Sequence, residues 1–126
     1  MGLTLYDAFV AIAAPDLDSV VAFYQALLDQ PPQPHAPGRY AEFQLSGLRL
    51  GLFTPKADHA AQFVNSDGAA LSLCLEVKDL EAAIAHLEVT GHPPIDDIAV
   101  TSHGREAYAY DPTGTRLILH EARKPS

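Results

Sequence analysis

One pattern of apolar and polar residues occurs twice in this chain, and no other feature constrains its fold as strongly. In each half a short apolar run is followed by an aspartate, Asp16 or Asp79, and then by apolar residues at helical spacing. Aspartate suits the start of a helix because its carboxylate accepts hydrogen bonds from the free backbone N–H groups of the first turn. Prolines follow each helical stretch, and strand-like runs follow the prolines. The repeat predicts two modules of strand, helix and two or three further strands.

The order of these elements gives the expected fold class. We predict an α+β fold in which two βαβββ modules form a curved mixed sheet with the helices on its convex side. The first module covers about residues 5–54 and the second about 70–122, within a single domain of residues 1–126. The linker between them, residues 55–69, contains a candidate short helix or lid at Ala57–Phe63.

Alternation of apolar residues and the positions of turn residues place the individual elements. The apolar stripes of the two helices run over Leu17–Leu28 and Leu80–Leu87, and Gly91 suits the end of the second helix. Tight turns are predicted at Ser46-Gly47 and at Asp111-Pro112-Thr113-Gly114. The predicted strands are Ala8–Ala14, Tyr40–Leu45, Leu48–Phe53, Leu71–Val77, Ile95–Thr101, Arg105–Tyr110 and Thr115–Glu121.

The composition of the chain argues against two classes of binding partner, nucleic acids and anionic membranes. The chain of 126 residues has a formal net charge of −8 and only eight Lys and Arg residues, which form no basic cluster. Binding to nucleic acid or to an anionic membrane is therefore not expected. We find no export signal and no apolar run of about 18 residues, so we expect a cytoplasmic protein. Cys74 is the one cysteine, which excludes an intramolecular disulfide.

Three motifs in this chain resemble those of the vicinal-oxygen-chelate superfamily, which includes glyoxalases, bleomycin resistance proteins and extradiol dioxygenases. The motifs are Ala14-Pro15-Asp16-Leu17 running to Ala22-Phe23-Tyr24, then Val77-Lys78-Asp79-Leu80, and finally Tyr110-Asp111-Pro112-Thr113-Gly114 before the last apolar strand. The order and spacing of the three motifs carry the resemblance, which covers nearly the whole chain. The resemblance implies that the two modules surround a cleft for a ligand, and that the chain forms a homodimer.

The resemblance also assigns four metal-ligand positions, which this chain fills with unsuitable residues. The positions correspond to Phe9, Gly51, Ser72 and Ile118. Divalent metals need O, N or S donors, which Phe, Gly and Ile lack and Ser supplies poorly. We therefore expect no metal cofactor and assign no catalytic residue. A relocated metal at His120, with Glu42 or Glu76 as a further ligand, is the alternative.

Alternation along the strands predicts which side chains face the cleft. In each strand the leucines and valines that pack on the helix leave the intervening residues on the other face. The predicted ligand-binding residues are Phe9, Arg49, Phe53, Ser72, Cys74, Arg116, Ile118 and His120. An apolar wall with a few convergent polar groups is the usual construction of a small-molecule site.

The two arginines of this set have different predicted roles. Glu42 is expected opposite Arg49 across the Ser46-Gly47 turn, so we expect these two charges to pair. Arg116 is expected opposite Ala109, so no partner for its charge is obvious from the sequence. Arg116 is therefore the better candidate to bind a carboxylate or phosphate group of a ligand.

Two further assignments concern the second module. A two-residue turn before the last strand would send Tyr108 and Tyr110 to the helix side, whereas a bulge would reverse them. We expect both tyrosines in the core. Cys74 is expected to be a small buried apolar residue rather than a nucleophile.

These observations leave three hypotheses for the function. The first is a metal-independent protein, without a cofactor, that holds an organic small molecule in its cleft. The second is a metal-dependent lyase, isomerase or dioxygenase with relocated ligands. The third is a protein-interaction module that binds no ligand. Stoichiometric bound metal would favour the second hypothesis over the first.

Overall fold

A computed structural model describes residues 2–5, 7–64 and 70–123 and divides the chain into two compact units, Met1–Val64 and Asn65–Ser126. Each unit contains one βαβββ module, so the predicted α+β class with two modules is confirmed. The division falls within the predicted linker, of which residues 65–69 lie outside the described residues. None of the described helices is both long enough and apolar enough to cross a membrane.

The first module forms a mixed four-stranded sheet with the strand order β1-β4-β3-β2. Its elements are β1 (Val10–Ala13), α1 (Leu17–Leu28), β2 (His35–Ala36), β3 (Tyr40–Leu45) and β4 (Leu48–Phe53). Strand β1 runs parallel to β4, and the other pairs are antiparallel. A 3₁₀ helix at Ala60–Phe63 follows, inside the segment where a short helix was predicted.

Burial of apolar side chains between α1 and one face of this sheet forms the core of the first module. The buried apolar sheet residues are Ile12, Ala41, Phe43, Leu50 and Leu52, and the buried helix residues are Leu17, Val20, Val21, Phe23 and Tyr24. The Tyr24 ring lies 6.1 Å from the Phe43 ring and 5.0 Å from the Phe23 ring, measured between centroids. Each Val, Leu, Ile or Phe side chain of this core stabilises the fold by about 2 kcal/mol when it is fully buried.

The second module repeats this arrangement, with the strand order β5-β8-β7-β6. Its elements are β5 (Ser72–Glu76), α2 (Leu80–Val89), β6 (Ala99–Thr101), β7 (Gly104–Tyr110) and β8 (Arg116–Ala122). Strand β5 is parallel to β8, and β8, β7 and β6 form an antiparallel ladder. The buried residues of this core are Leu73, Leu80, Leu87, Ala107, Ala109, Leu117 and Leu119.

The two helices begin differently. The Asp79 carboxylate accepts a hydrogen bond from the backbone N–H of Ala82 at 3.0 Å, which confirms the predicted cap of α2. Asp16 occupies the equivalent position of α1, but its side chain makes no capping hydrogen bond, so that prediction is wrong. The Ser19 hydroxyl instead donates to the backbone carbonyl of Asp16 at 3.0 Å. Both modules have an aspartate at the N-cap position, but only the Asp79 side chain makes a capping hydrogen bond.

Candidate functional site

Each sheet has one face against its helix and a second face, here called the helix-distal face. In the first module, strand pairing arranges the residues of this face in three rows across β1, β4 and β3. The rows are Arg49 and Gln44, beside which Phe9 lies just before β1; Ala11, Gly51 and Glu42; and Ala13, Phe53 and Tyr40. Three of the eight predicted ligand-binding residues lie here. The Phe53 ring packs edge-on against Phe63 of the 3₁₀ helix, with 5.2 Å between centroids.

The helix-distal face of the second module has the same three rows across β5, β8 and β7. The rows are Ser72, Arg116 and Tyr110; Cys74, Ile118 and Tyr108; and Glu76, His120 and Glu106. The other five predicted ligand-binding residues lie on this face. The side-chain period of two places them there, because Leu117 and Leu119 take the helix side of β8.

Glu42 is the buried centre of a polar network in the first module. Its carboxylate accepts hydrogen bonds from the Tyr40 hydroxyl at 2.7 Å and from the Gln44 amide at 2.8 Å, and Arg49 lies at 3.5 Å. The residue is only 8% exposed. The hydrogen bonds from Gln44 and Tyr40 hold the pKa of Glu42 below its ordinary value. Burial, followed by the bond to Glu42, raises the pKa of Tyr40 to about 12. Glu42 is therefore ionised and Tyr40 is protonated at neutral pH.

Arg49 is held by contacts within its own module. Its guanidinium forms ion pairs with Asp7 and Glu42, and its Cζ lies 4.8 Å from the centroid of the Phe9 ring. The predicted pair with Glu42 is confirmed, but the predicted register is wrong. Gln44 is the residue opposite Arg49, and Glu42 lies opposite Gly51. Arg49 reaches Glu42 diagonally, which a long side chain on a sheet can do.

Gly51 leaves the space into which Tyr40 and Phe9 extend. A Cβ atom built on Gly51 would lie 2.7 Å from the Tyr40 hydroxyl oxygen and 3.3 Å from a carbon of the Phe9 ring. Any larger side chain at position 51 would displace the hydroxyl that binds Glu42. This position, which the family resemblance assigns to a metal ligand, is instead filled by the chain itself.

Arg116 contacts Ser72 in the second module. Its Nε donates to the Ser72 hydroxyl at 2.7 Å, and the residue opposite it on β7 is Tyr110. The prediction that Arg116 faces Ala109 is therefore wrong. Ala109 pairs with Leu117 and is fully buried.

Tyr108 and Tyr110 lie on the helix-distal face, which corrects the prediction that they pack in the core. The buried side chains of β7 are those of Ala107 and Ala109. The cause is the connection between β7 and β8, which extends through Thr115. The Asp111 carboxylate accepts from the backbone N–H groups of Thr113 at 2.8 Å and Thr115 at 3.0 Å. This adds one residue to the connection, and a one-residue shift of register exchanges the two faces of a strand.

The third row of the second module combines two carboxylates with an imidazole. His120 Nδ1 lies 2.9 Å from both carboxylate oxygens of Glu76. On the other side of His120, the Glu106 carboxylate accepts a hydrogen bond from the Tyr108 hydroxyl. Among the sequence-based candidates, Glu106 and Tyr108 were missed as members of this face. The Glu-Ala-Tyr spacing of β7, which mirrors Tyr-Ala-Glu in β3, is the sequence signal that could have found them.

Cys74 is exposed, so the prediction that it is buried is wrong. It points to the helix-distal face because it alternates with the buried Leu73. Partial desolvation of the sulfur raises the pKa of Cys74, and the charges of Glu76 and Glu106 raise it further. The thiol is protonated at neutral pH, which agrees with the prediction that Cys74 is not a nucleophile.

The four positions assigned to metal ligands do not fit a divalent metal. Phe9 and Ile118 carry no donor atom, Gly51 has no room for one, and the Ser72 hydroxyl is bound by the Arg116 cation. Within residues 2–5, 7–64 and 70–123, one group of three acidic side chains has ligand atoms within 4.8 Å of one another: Asp79, Glu81 and Glu121. Two of these carboxylates, Glu81 and Glu121, instead form ion pairs with Arg105. Glu121 also accepts from the backbone N–H of Leu80 at the start of α2.

Several solved structures have the same fold as this chain. A bleomycin-binding protein in complex with bleomycin is 22% identical, with a TM-score of 0.67 over 94% of this chain and 100% of its own. A bleomycin resistance determinant encoded on a transposon is 21% identical, with a TM-score of 0.69 over 95% and 100%. Lactoylglutathione lyase from Agrobacterium tumefaciens is 22% identical, with a TM-score of 0.67 over 94% and 95%.

The sequence itself matches a family model over nearly its whole length. No curated protein sequence is similar enough to count as a relative. The model of the Glyoxalase/Bleomycin resistance protein/Dioxygenase superfamily matches residues 8–119. The chain therefore belongs to the Glyoxalase/Bleomycin resistance protein/Dioxygenase superfamily.

Proposed function

We propose that this chain binds an organic small molecule and does so without a metal at the four positions of the metal-dependent members. The observation that carries the proposal is the filling of these positions by the chain's own groups. The Tyr40 hydroxyl and the Phe9 ring occupy the space at Gly51. The Arg116 guanidinium donates a hydrogen bond to the Ser72 hydroxyl. A guanidinium beside Ser72 would repel a divalent cation.

The helix-distal faces support binding of an organic molecule. They combine aromatic and apolar side chains with a small number of oriented polar groups, which is the usual composition of small-molecule sites. The likeness in fold to a protein solved with bound bleomycin is consistent with such a role. The residues expected to contact the ligand are Phe9, Arg49, Phe53, Ser72, Cys74, Arg116, Ile118 and His120.

Metal content and thermal stability test the proposal. We expect purified, untagged protein to contain far less than one metal ion per chain. A ligand that binds the native state raises the unfolding midpoint with the logarithm of its concentration over its Kd. Since we expect none of these metals to bind, Zn²⁺, Ni²⁺, Mn²⁺ and Fe²⁺ should leave the midpoint unchanged. A screen of organic compounds should produce such a shift.

The His120→Gln variant separates two ways in which this proposal could fail. A metal-induced shift in the wild-type protein that is lost in this variant would establish a relocated metal site and overturn the metal-free proposal. Absence of a shift with every compound of a diverse screen would overturn small-molecule binding and favour a protein-interaction module.

We also propose a homodimer, on the strength of the family resemblance. Sedimentation velocity over a range of protein concentrations tests this directly. A single species with the mass of one chain at every concentration would contradict the proposal.

A further inference from the structure

Glu76, His120 and Glu106 form one row across β5, β8 and β7, here called the acid–histidine row. The parallel register places Glu76 beside His120, and the antiparallel register places Glu106 on the opposite side of the same imidazole. Adjacent strands lie about 4.8 Å apart, so the side chains of the three residues are direct neighbours. Glu76 is exposed, whereas His120 and Glu106 are half-buried.

The carboxylates of the acid–histidine row accept hydrogen bonds. An ionised carboxylate only accepts hydrogen bonds, so His120 Nδ1 must carry the hydrogen that binds Glu76. Nε2 makes no hydrogen bond to the described residues. The acid–histidine row therefore presents two carboxylates beside an imidazole, and a complementary ligand must supply N–H donors and positive charge.

The equivalent row of the first module shows that this chemistry is specific to the second module. There the corresponding residues are Ala13, Phe53 and Tyr40, which form an apolar and aromatic row. The buried acid of that face, Glu42, already receives two hydrogen bonds and an ion pair from its own module. Among the described residues Glu76 and Glu106 each have a single side-chain donor, which is His120 Nδ1 for Glu76 and the Tyr108 hydroxyl for Glu106.

The surroundings of the acid–histidine row suit an organic cation. Ile118 and Tyr108, in the adjacent row, supply apolar and aromatic surface for the carbon skeleton of a ligand. Both Glu76 and Glu106 raise the pKa of the Cys74 thiol through their charge, so both carboxylates act on the same region of the face. The net charge of −8 adds a long-range attraction for a cation.

We propose that the acid–histidine row binds the ammonium group of an organic amine, which makes amines the class of small molecule that this chain holds. The inference rests on the proposed function above. The ammonium hydrogens would be donated to the carboxylates of Glu76 and Glu106.

A series of benzyl compounds tests this inference, with binding followed by calorimetry and by NMR of the imidazole nitrogens. Benzylamine should bind and move the His120 Nε2 resonance. Benzyl alcohol has no charge and benzyltrimethylammonium has no N–H, so both should bind more weakly. Glu76→Gln and Glu106→Gln should each weaken benzylamine binding about tenfold, because each removes one charge-assisted hydrogen bond. Glu88→Gln, an exposed site on α2, is the charge-matched control and should bind like the wild type.

Several outcomes would overturn the inference. They are equal binding of benzyl alcohol or benzyltrimethylammonium, unchanged affinity in both Gln variants, and one equivalent of Zn²⁺ bound through His120 while benzylamine does not bind. A neutral or anionic compound that binds when no amine does would overturn this inference and leave the proposed function standing. Failure of compounds of every charge class would overturn both.

Discussion

Gly51 is the residue on which the polar network of the first module depends. A Cβ at this position would lie 2.7 Å from the Tyr40 hydroxyl oxygen, so that Gly51→Ala must move Tyr40 away from Glu42. We expect the variant to lose about 1–3 kcal/mol of unfolding free energy, which is the usual cost of an added group in a filled site. Urea unfolding measures the loss.

A second variant checks the cause of this loss. Tyr40→Phe removes the hydroxyl that the new Cβ would meet, so Gly51→Ala should cost less in the Tyr40→Phe background than in the wild type. An equal cost in both backgrounds would show that the hydroxyl is not the group that excludes a side chain at position 51.

Glu42 should make the stability of the protein depend on pH. Its pKa is lower in the folded chain, chiefly because Gln44 and Tyr40 donate to it. The unfolded chain therefore binds more protons, and folding is stabilised above the ordinary glutamate pKa of about 4.3. This contribution is lost as the pH falls through the lower folded pKa. In Glu42→Gln we expect a flatter dependence of unfolding free energy on pH in acid, measured by urea unfolding. Glu88→Gln is the control, and an unchanged slope in Glu42→Gln would contradict the prediction.

At the level of elements, the two helices offer a matched pair of caps. Asp79 caps α2 through Ala82, whereas the side chain of Asp16 makes no capping bond to α1. We expect Asp79→Ala to lower the unfolding free energy by about 1 kcal/mol, the usual value of an N-cap side chain. Asp16→Ala should change it much less. Equal losses in the two variants, measured by urea unfolding, would mean that the Asp79 hydrogen bond is not the source of stability.

The β7–β8 connection determines which side chains the second module presents. Because the Asp111 carboxylate binds the backbone of Thr113 and Thr115, the ladder begins at the Tyr110–Arg116 pair. A connection one residue shorter would bury the tyrosines and turn the alanines outward. The presence of Tyr108 beside Glu106 is therefore a property of the turn and not of strand alternation alone.

For the whole molecule, charge should affect the binding of an amine. The net charge of −8 attracts a cation from a distance, and dissolved salt screens this attraction. We expect the affinity for benzylamine to fall several-fold when NaCl rises from about 20 mM to about 500 mM, since the Debye length shortens to a few ångströms. Any compound without charge that binds should be insensitive to salt. Calorimetry at the two salt concentrations measures both, and a salt-independent affinity for benzylamine would contradict an electrostatic contribution.

The sequence by itself determined the α+β class, the two modules and nearly all the strand faces. It could do so because the helical stripe, the period of two along strands and the turn residues are local signals. The same alternation placed Phe9, Arg49, Ser72, Ile118 and the other candidates away from the helices. The resemblance carried by the three motifs agrees with the family that matches residues 8–119.

Only the tertiary structure decided which residues meet across strands. Register depends on the length and hydrogen bonding of a connection, and Asp111 extends the last connection by a residue that the motif does not reveal. For the same reason the sequence paired Arg116 with Ala109 rather than Tyr110. The row of Glu76, His120 and Glu106 arises from one parallel and one antiparallel register, which residues far apart in the sequence satisfy together. Long-range pairing of this kind has no local signal, so it becomes visible only when the sheet is formed.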